Sequence, residues 1–507
     1  MKKIIFAIVF VLLSVIVFAA PTVRHFFIAP GTLTDHSVTL LWDKPTAIDT
    51  TVSEILMNGK AVATTNTTNC TLSQLLPNTS YTVKLTVRKS GETTKQFIDT
   101  LHFKTSAKSK IYNILDYGAK NDTTIKNTKA IQAAIDACTA GGTVYIPKGI
   151  FKSGAIFLKS DMTLYIEKGA VLKGIDSPED YLPMIMNRFE GWELNTYASL
   201  INAGTLNRNG TYNVTNLQIT GGGTIAGGGK KLGEAMIKAS GIRSRGRLIC
   251  LMNCQNVSIS NLTITEPPCW TIHYIYSNNV TCHDLNIITN GIRNGDGIDP
   301  DSSTDSYIFN CTFDTGDDCI AIKSGKNPEG FFVAKPTTNV RITDCDFKRG
   351  HGISIGTEMS GGVSDVLVQD CKAGALLHGM QIKATKERGG YVKNVTVIDC
   401  QLLQITIFSS VNYNNDGEAA PEPPTFANFV FKNIDLSKAP ISEPVINING
   451  FKDADHKLKD VTFTNILLPE KAKIAVTDAE RVKFSTIKTA GVGEPKYVVA
   501  NSTEVTY

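Results

Sequence analysis

The chain has 507 residues, 42% of them hydrophobic, with 51 Lys and Arg against 47 Asp and Glu, a formal net charge of +4. That composition excludes a disordered chain, and the length leaves room for two domains and a large core. The near balance of charge excludes a general basic field, so no nucleic-acid partner is expected and any attraction for an anion must be local.

Met1–Ala20 reads as an export leader. Lys2 and Lys3 precede an apolar run from Ile4 to Phe18, and Val17-Phe18-Ala19 fits a small-x-small cleavage site. The run is short for a membrane span, and no later segment is long and apolar enough to be one. The expectation is a secreted or periplasmic protein with no membrane insertion after leader removal. Without Lys2 and Lys3, 49 basic residues face 47 acidic ones.

From about residue 21 to 107 the texture is short alternating runs: SVTLLW (37–42), SEILMNG (53–59), YTVKLTV (81–87) and IDTLHF (98–103). Turn residues separate them at spacings suited to a small antiparallel sandwich with Trp42 in its core. Leu76-Pro77-Asn78-Thr79-Ser80-Tyr81 resembles the tyrosine-corner segment of a fibronectin type III domain. Nothing in this domain looks catalytic, and a spacer or docking role is expected.

Ser106–Lys110 reads as a linker. Beyond it, Ala130, Ile131, Ala134, Ile135 and Cys138 fall on one helical face, suited to capping the open end of a solenoid. Residues 141–174 then begin the coils. Residues 175–212 depart from the repeat and read as a large excursion beside a groove, and Ser409–Pro424 reads as a second long loop. The expected domains are therefore a leader (1–20), a sandwich (21–107) and a solenoid (108–507), all-β in class.

The solenoid rests on a repeat: Asn/Asp, apolar, any, apolar, any, Asn/Asp, Leu/Cys, any, apolar. It begins at Asn256, Asn279, Asp305, Asn339, Asp365, Asn394, Asn428 and Asp460, with a looser copy at Asn216. Steps of 23 to 34 residues with apolar alternation mean stacked coils, each adding one strand to a parallel sheet. Cys311, Cys345, Cys371 and Cys400 share one repeat position. That position reads as a buried stack of small apolar side chains, with disulfides between coils as the alternative. Eleven cysteines is an odd count, so an exported chain keeps at least one without an intrachain partner. No CxxC pair or His/Cys spacing suggests a metal, and neither metal nor cofactor is expected.

A second repeated strand aligns Asp296-Gly-Ile, Asp318-Cys-Ile, His351-Gly-Ile and His378-Gly-Met. Strands of a parallel sheet lie about 4.8 Å apart, so Asp296 and Asp318 become neighbours in one column with His351 next in line. Asp317 is offset from that column by one residue. Ile298, Ile320, Ile353 and Met380 take the inward parity. Asp299, Ala321, Ser354 and Gln381 face outward, as do Asp301, Lys323, Gly356 and Lys383.

From about residue 111 onward the chain resembles glycoside hydrolase family 28, the polygalacturonase family. The motifs are Asn294-Gly295-Asp296 with Gly297-Ile298-Asp299, then Gly316-Asp317-Asp318-Cys319, Gly350-His351-Gly352 and Gln381-Ile382-Lys383. The resemblance implies a right-handed parallel β-helix that hydrolyses α-linked galacturonic acid chains in pectin with inversion. Gly295 stands where the family usually has Thr or Pro. Gln381 stands where it usually has an Arg that, with the lysine, clamps a substrate carboxylate; Gln381 keeps a donor but loses the charge. The long excursions resemble those of exo-acting bacterial members.

Hydrolysis with inversion needs an acid at the glycosidic oxygen and a base holding water on the opposite face. In this register Asp296 and Asp318 can share the water and Asp317 can reach the leaving oxygen; the resemblance implies the same roles. Close carboxylates cannot all ionise cheaply, and Asp317 is expected to carry the raised pKa. His351 is expected to tune or position the acid. Lys383, and more weakly Lys323, face the side of Gln381 and are expected to bind an anionic sugar. Asn294 can hold substrate or pin its loop, and Arg388 and Tyr413 are expected to line the leaving-group side. Trp270 and His273 read as packing. The expected partner is an anionic pectic polysaccharide or oligosaccharide, met by a monomer. Three alternatives stay open: a calcium-dependent pectate lyase on the same solenoid, a non-catalytic β-helix adhesin, and a hydrolase for rhamnogalacturonan or xylogalacturonan.

Overall fold

The computed structural model describes residues 26–44, 51–93, 95–410, 413 and 417–507; the expected leader, 1–20, lies outside the described residues. Residues 26–104 form two facing sheets. One orders Phe27–Ile28, Val38–Leu41 and Asn69–Leu72; the other orders Lys60–Thr65, Thr51–Met57, Ser80–Lys89 and Gln96–Lys104. Val38, Leu40, Trp42, Ile55, Val83, Leu85 and Val87 fill the space between them. The Leu76 backbone N–H donates to the Tyr81 hydroxyl at 2.8 Å. Strands Lys60–Thr65 and Asn69–Leu72 escaped the sequence reading because they are short and lack a strong apolar alternation. The sandwich sits on the solenoid through Phe27, Ala29 and Leu41 against Tyr307 and Phe309, and through Lys44, 3.0 Å from Asp370 and 2.8 Å from Asp399.

The rest is a parallel β-helix whose strands fall into sheets of 20 and 12. The repeat's two Asn/Asp positions are its corners. Asn216, Asn256, Asn279, Asp305, Asn339, Asp365, Asn394, Asn428 and Asp460 all have φ between 53° and 62°. From Asn256 onward the residues five places on, from Asn261 and Asp284 to Asn433 and Asn465, have φ from 52° to 56°. Asn and Asp tolerate the left-handed region where most side chains clash. Their side chains then bond from coil to coil: Asn256 to Asn216 at 2.7 Å, Asn433 to Asp399 and Asn465 to Asn433 at 2.8 Å.

The 12-stranded sheet stacks one apolar column in strict register. Ile156, Ile201, Ile249, Ile272, Ile298, Ile320, Ile353, Met380, Ile405, Ile446, Ile474 and Tyr497 are successive partners. Each fully buried Ile contributes about 1.5–3 kcal/mol. The Cys311, Cys345, Cys371 and Cys400 position is a buried column, and all eleven cysteines are free thiols. Helix Thr128–Ala137 caps the first coil with Ile131, Ala134 and Ile135 in the core.

Two corrections concern the excursions. The segment 175–212 is not wholly outside the stack: Ile201–Ala203 is a rung of the 12-stranded sheet. What leaves the stack is the antiparallel hairpin Ile185–Phe189 and Trp192–Thr196. A helix over Gly229–Ser240, which the sequence reading did not anticipate, packs Leu232 and Met236 inward. Among the described residues no helix is long and apolar enough to cross a membrane.

Candidate active site

The column forms as the register requires. Ile298 pairs with Ile320, Ile320 with Ile353, and Ile353 with Met380. Two residues upstream, Asp296, Asp318, His351 and His378 are therefore stacked along successive coils. Backbone bonds carry the ladder through the site: Gly297 N–H to Asp318 O at 3.0 Å, and Cys319 N–H to Gly352 O at 2.8 Å. The glycines flanking His351 are required. Gly350 has φ of 127° and Gly352 φ of 91°, and a Cβ on Gly352 would lie 2.2 Å from Gly379 O.

Asp317 sits above the column and is held by many bonds. Its Oδ1 accepts from the Asp318 N–H at 3.0 Å and lies 3.0 Å from His351 Nδ1. Its carbonyl accepts from the His351 N–H at 2.9 Å and the Thr315 hydroxyl at 2.8 Å. Asn294 Nδ2 reaches Asp317 Oδ2 at 3.4 Å while Arg245 donates to Asn294 Oδ1 at 2.9 Å. Asn294 thus pins the acid as well as its own turn. Asp318 Oδ1 accepts from Ser354 Oγ at 2.7 Å, and Lys383 Nζ lies 3.8 Å from Oδ2.

The expectation that Asp317 carries the raised pKa is wrong for this arrangement. Burial pushes Asp317 up, but the His351 hydrogen bond and charge outweigh it and hold it below the usual carboxylate value. His351 is raised in turn by that bond. The raised carboxyls are Asp296 and Asp299. Burial, then the neighbouring Asp299 and Asp317, drive Asp296 well above its ordinary value. Burial drives Asp299 up to about 7 against the pull of Lys323. The reason is position: Asp317 is at the half-buried rim beside a histidine, whereas Asp296 and Asp299 are on the floor with each other.

Outward-facing residues of a bare solenoid would be solvated. Here Asp299 and Ser354 are 0% exposed, Lys323 4% and Gln381 5%. The excursions are tied down beside them. The hairpin is locked down by Arg188, whose guanidinium lies 2.7 Å from Asp301, 3.2 Å from Glu193, and against the Tyr276 hydroxyl. Trp192 Nε1 donates to Asn327 O at 3.2 Å, and Phe189 stacks on Trp270 at 5.0 Å. The second loop meets the same point, since Asn327 Nδ2 donates to Glu418 O at 2.8 Å.

Arg388 is part of this roof, not of a sugar-binding wall. It is fully buried, donating to Asn327 Oδ1 at 2.7 Å, Thr357 O at 2.9 Å and Tyr413 O at 3.3 Å. The expected contact with substrate is lost because Asn327, Thr357 and Tyr413 take up its guanidinium. Tyr413, 45% exposed, does face outward, 5.9 Å from Lys383 Nζ to its ring centroid. Lys383 is raised: burial opposes its charge, but Asp318, Tyr413 and Glu358 outweigh burial. Trp270 and His273 pack as expected, yet Trp270 lies 4.4 Å from Lys323 Nζ and His273 Nε2 3.2 Å from Asp301.

Sequence reasoning gave no role to Asp299, Ser354 or Glu358. The outward parity of Asp299 and Ser354 was a usable signal. Glu358 had none, because it reaches Lys323, 3.8 Å away, from a loop. One oxygen or nitrogen each from Asp317, Asp318 and His351 lie within 4.8 Å of one another, close enough for a cation. These are the same atoms an acid–base assignment uses.

Glycosyl hydrolases family 28 matches residues 143–488, and a rhamnogalacturonase A/epimerase, pectate lyase-like profile matches 111–173. The chain is 27% identical to an exo-poly-alpha-D-galacturonosidase of Dickeya chrysanthemi, over 89% of this chain and 88% of that protein. It superposes on the family 28 exopolygalacturonase of Yersinia enterocolitica with a TM-score of 0.88 at 26% identity, covering 95% of this chain and 98% of that one. A hyperthermoactive exopolygalacturonase of Thermotoga maritima follows with a TM-score of 0.58 at 26% identity, over 78% and 91% of the two chains.

Proposed function

This chain belongs to glycosyl hydrolase family 28, and from that premise we propose that it cleaves terminal α-linked galacturonic acid from pectic chains by single displacement. The observation that carries the exo reading is the enclosure of the outward face. With Asp299, Lys323, Ser354 and Gln381 all buried and the excursions tied down beside them, the site is shaped for a chain end rather than for the middle of a polymer.

In this reading Asp296 and Asp318, adjacent in the column, hold the attacking water, and Asp317 protonates the leaving oxygen. The His351–Asp317 hydrogen bond favours a proton on His351 and a charged Asp317. A substrate uronate arriving beside Asp317 adds negative charge, raises that carboxyl and draws the proton onto it. Lys383, Gln381 and Tyr413 face the leaving-group side and bind the sugar there. We also propose export to the periplasm or medium, a monomer, and a fibronectin type III-like leading sandwich acting as a spacer.

A product profile tests the function. With polygalacturonate and chelator present, short uronic-acid products released from the start support exo hydrolysis, and long oligomers from the start would replace it with endo cleavage. Gln381, which offers the site's leaving-group side an amide where a guanidinium would bring charge, favours a second reading. Products from rhamnogalacturonan alone would establish that reading instead.

A further inference from the structure

Lys323 lies on the floor of the site. Its Nζ is 3.5 Å from Asp299 Oδ1, 3.7 Å from Asp296 Oδ2 and 3.8 Å from Glu358 Oε2, and it sits over the Trp270 ring. None of the three carboxylates is at ordinary hydrogen-bond distance, so the ammonium acts as one counter-charge shared among them. Asp296 Oδ1 and both Asp299 oxygens find no N–H or O–H donor among the described residues. Buried carboxyls beside one another are eased by holding a proton in common.

We infer that Asp299 and Lys323 are positioning residues that set the ionisation state of Asp296: Asp299 shares a proton with it, and Lys323 supplies the charge that lets the pair lose that proton to solvent, leaving Asp296 free to take one from the attacking water. Lys323 is thereby moved from sugar binding to the support of the base. A uronate brought to it would join three carboxylates already there.

The other charges around this pair are few and come from named elements. Asp317 and Asp318 oppose ionisation from the turn just before the strand Ile320–Ile322, and Glu358 contributes negative charge from the loop after Ile353–Ile355. Arg247, just before Ile249–Met252, acts on Asp299 with the same sign as Lys323. His273, buried in Ile272–Ile275 and held down to about 4 chiefly by burial, stays neutral over the working range. Lys383 faces Asp318 from the far side. Lys323 is the cation that touches both Asp296 and Asp299, so its removal should be felt at the base above all.

The inference rests on the hydrolytic reading, and one experiment separates the two. We would measure kcat/KM against pH on polygalacturonate for wild type, Lys323→Met, Asp299→Asn and the double variant, with a melting temperature for each. In Lys323→Met the acidic limb should move up by about one pH unit or more, a tenfold loss per unit below the limb. In Asp299→Asn, which removes the like charge and keeps the shape, the limb should move down. The double variant should recover most of the loss. If Lys323→Met does not fold, the downward shift in Asp299→Asn still decides. Uniform losses with an unmoved limb would reduce both residues to packing and overturn the inference. A wild type that releases no uronic acid from any pectic polymer would overturn the hydrolytic reading itself, and the inference with it.

Discussion

The imidazole of His351 and Asp317 meet twice: Nδ1 lies 3.0 Å from Oδ1, and the His351 backbone N–H donates to the Asp317 carbonyl at 2.9 Å. The second contact survives any side-chain change, so the pair can be taken apart chemically while the loop stays in place.

His351→Gln should therefore cost activity through the proton rather than through geometry. We expect kcat to fall roughly 10²- to 10⁴-fold with KM within a few-fold of wild type. The alkaline limb should drop from above about 6.5 toward the carboxylate range, because only Asp317 is left to carry the proton. The raised His351 also stabilises the fold below about pH 6.5, and that contribution fades as pH rises through its folded value. A change confined to KM would remove His351 from the proton path.

Arg188 is the cation that most needs its partners. Burial pushes Asp301 up, but Arg188 and His273 outweigh it and hold Asp301 well below the carboxylate range. Arg188→Ala leaves that carboxylate buried without its main counter-charge and should cost roughly 3–5 kcal/mol, read as a denaturant midpoint. A depressed group stabilises above its unfolded value and loses that contribution in acid. The gap between wild type and variant should thus narrow below about pH 4. A constant gap would assign the loss to packing.

The corners can be tested by a pair of substitutions at Asn433, with φ of 56°. Ala and Gly both delete its bonds to Asp399 and Asn465, but only Ala meets the left-handed clash. Asn433→Ala should be less stable than Asn433→Gly by about 1 kcal/mol. Equal melting temperatures would leave the side-chain ladder, not the backbone, as the reason for Asn at the corner.

Chelation separates the hydrolytic site from a lyase. EDTA should leave the rate unchanged, and the products should show no ultraviolet absorbance from a new double bond. Activity that EDTA abolishes and calcium restores would turn Asp317, Asp318 and His351 into ligands.

Much of this was legible because a solenoid is nearly one-dimensional. The spacing of Asn256, Asn279 and Asp305 marks the coils, and the offset from each corner puts Asp296, Asp318 and His351 in one column. Those are local regularities repeated in register. Arg388 shows what was not legible: it reads as a charged residue near a groove, but Asn327, Thr357 and Tyr413 close around it from three separate stretches. The pKa order failed for the same reason. The register sets Asp317 apart from Asp296 and Asp318 by one residue, but only the distances to His351 and Lys323 show which carboxyl is raised.

The corner residues also explain how such an enclosure is accommodated. Each bend is made by the backbone conformation of its own Asn or Asp, independent of how much chain runs between bends. Ile156 pairs directly with Ile201 although the whole hairpin lies between them. Insertions can thus lengthen and reshape the roof while the catalytic register stays constant, so what the pocket admits and how it cuts are free to change separately.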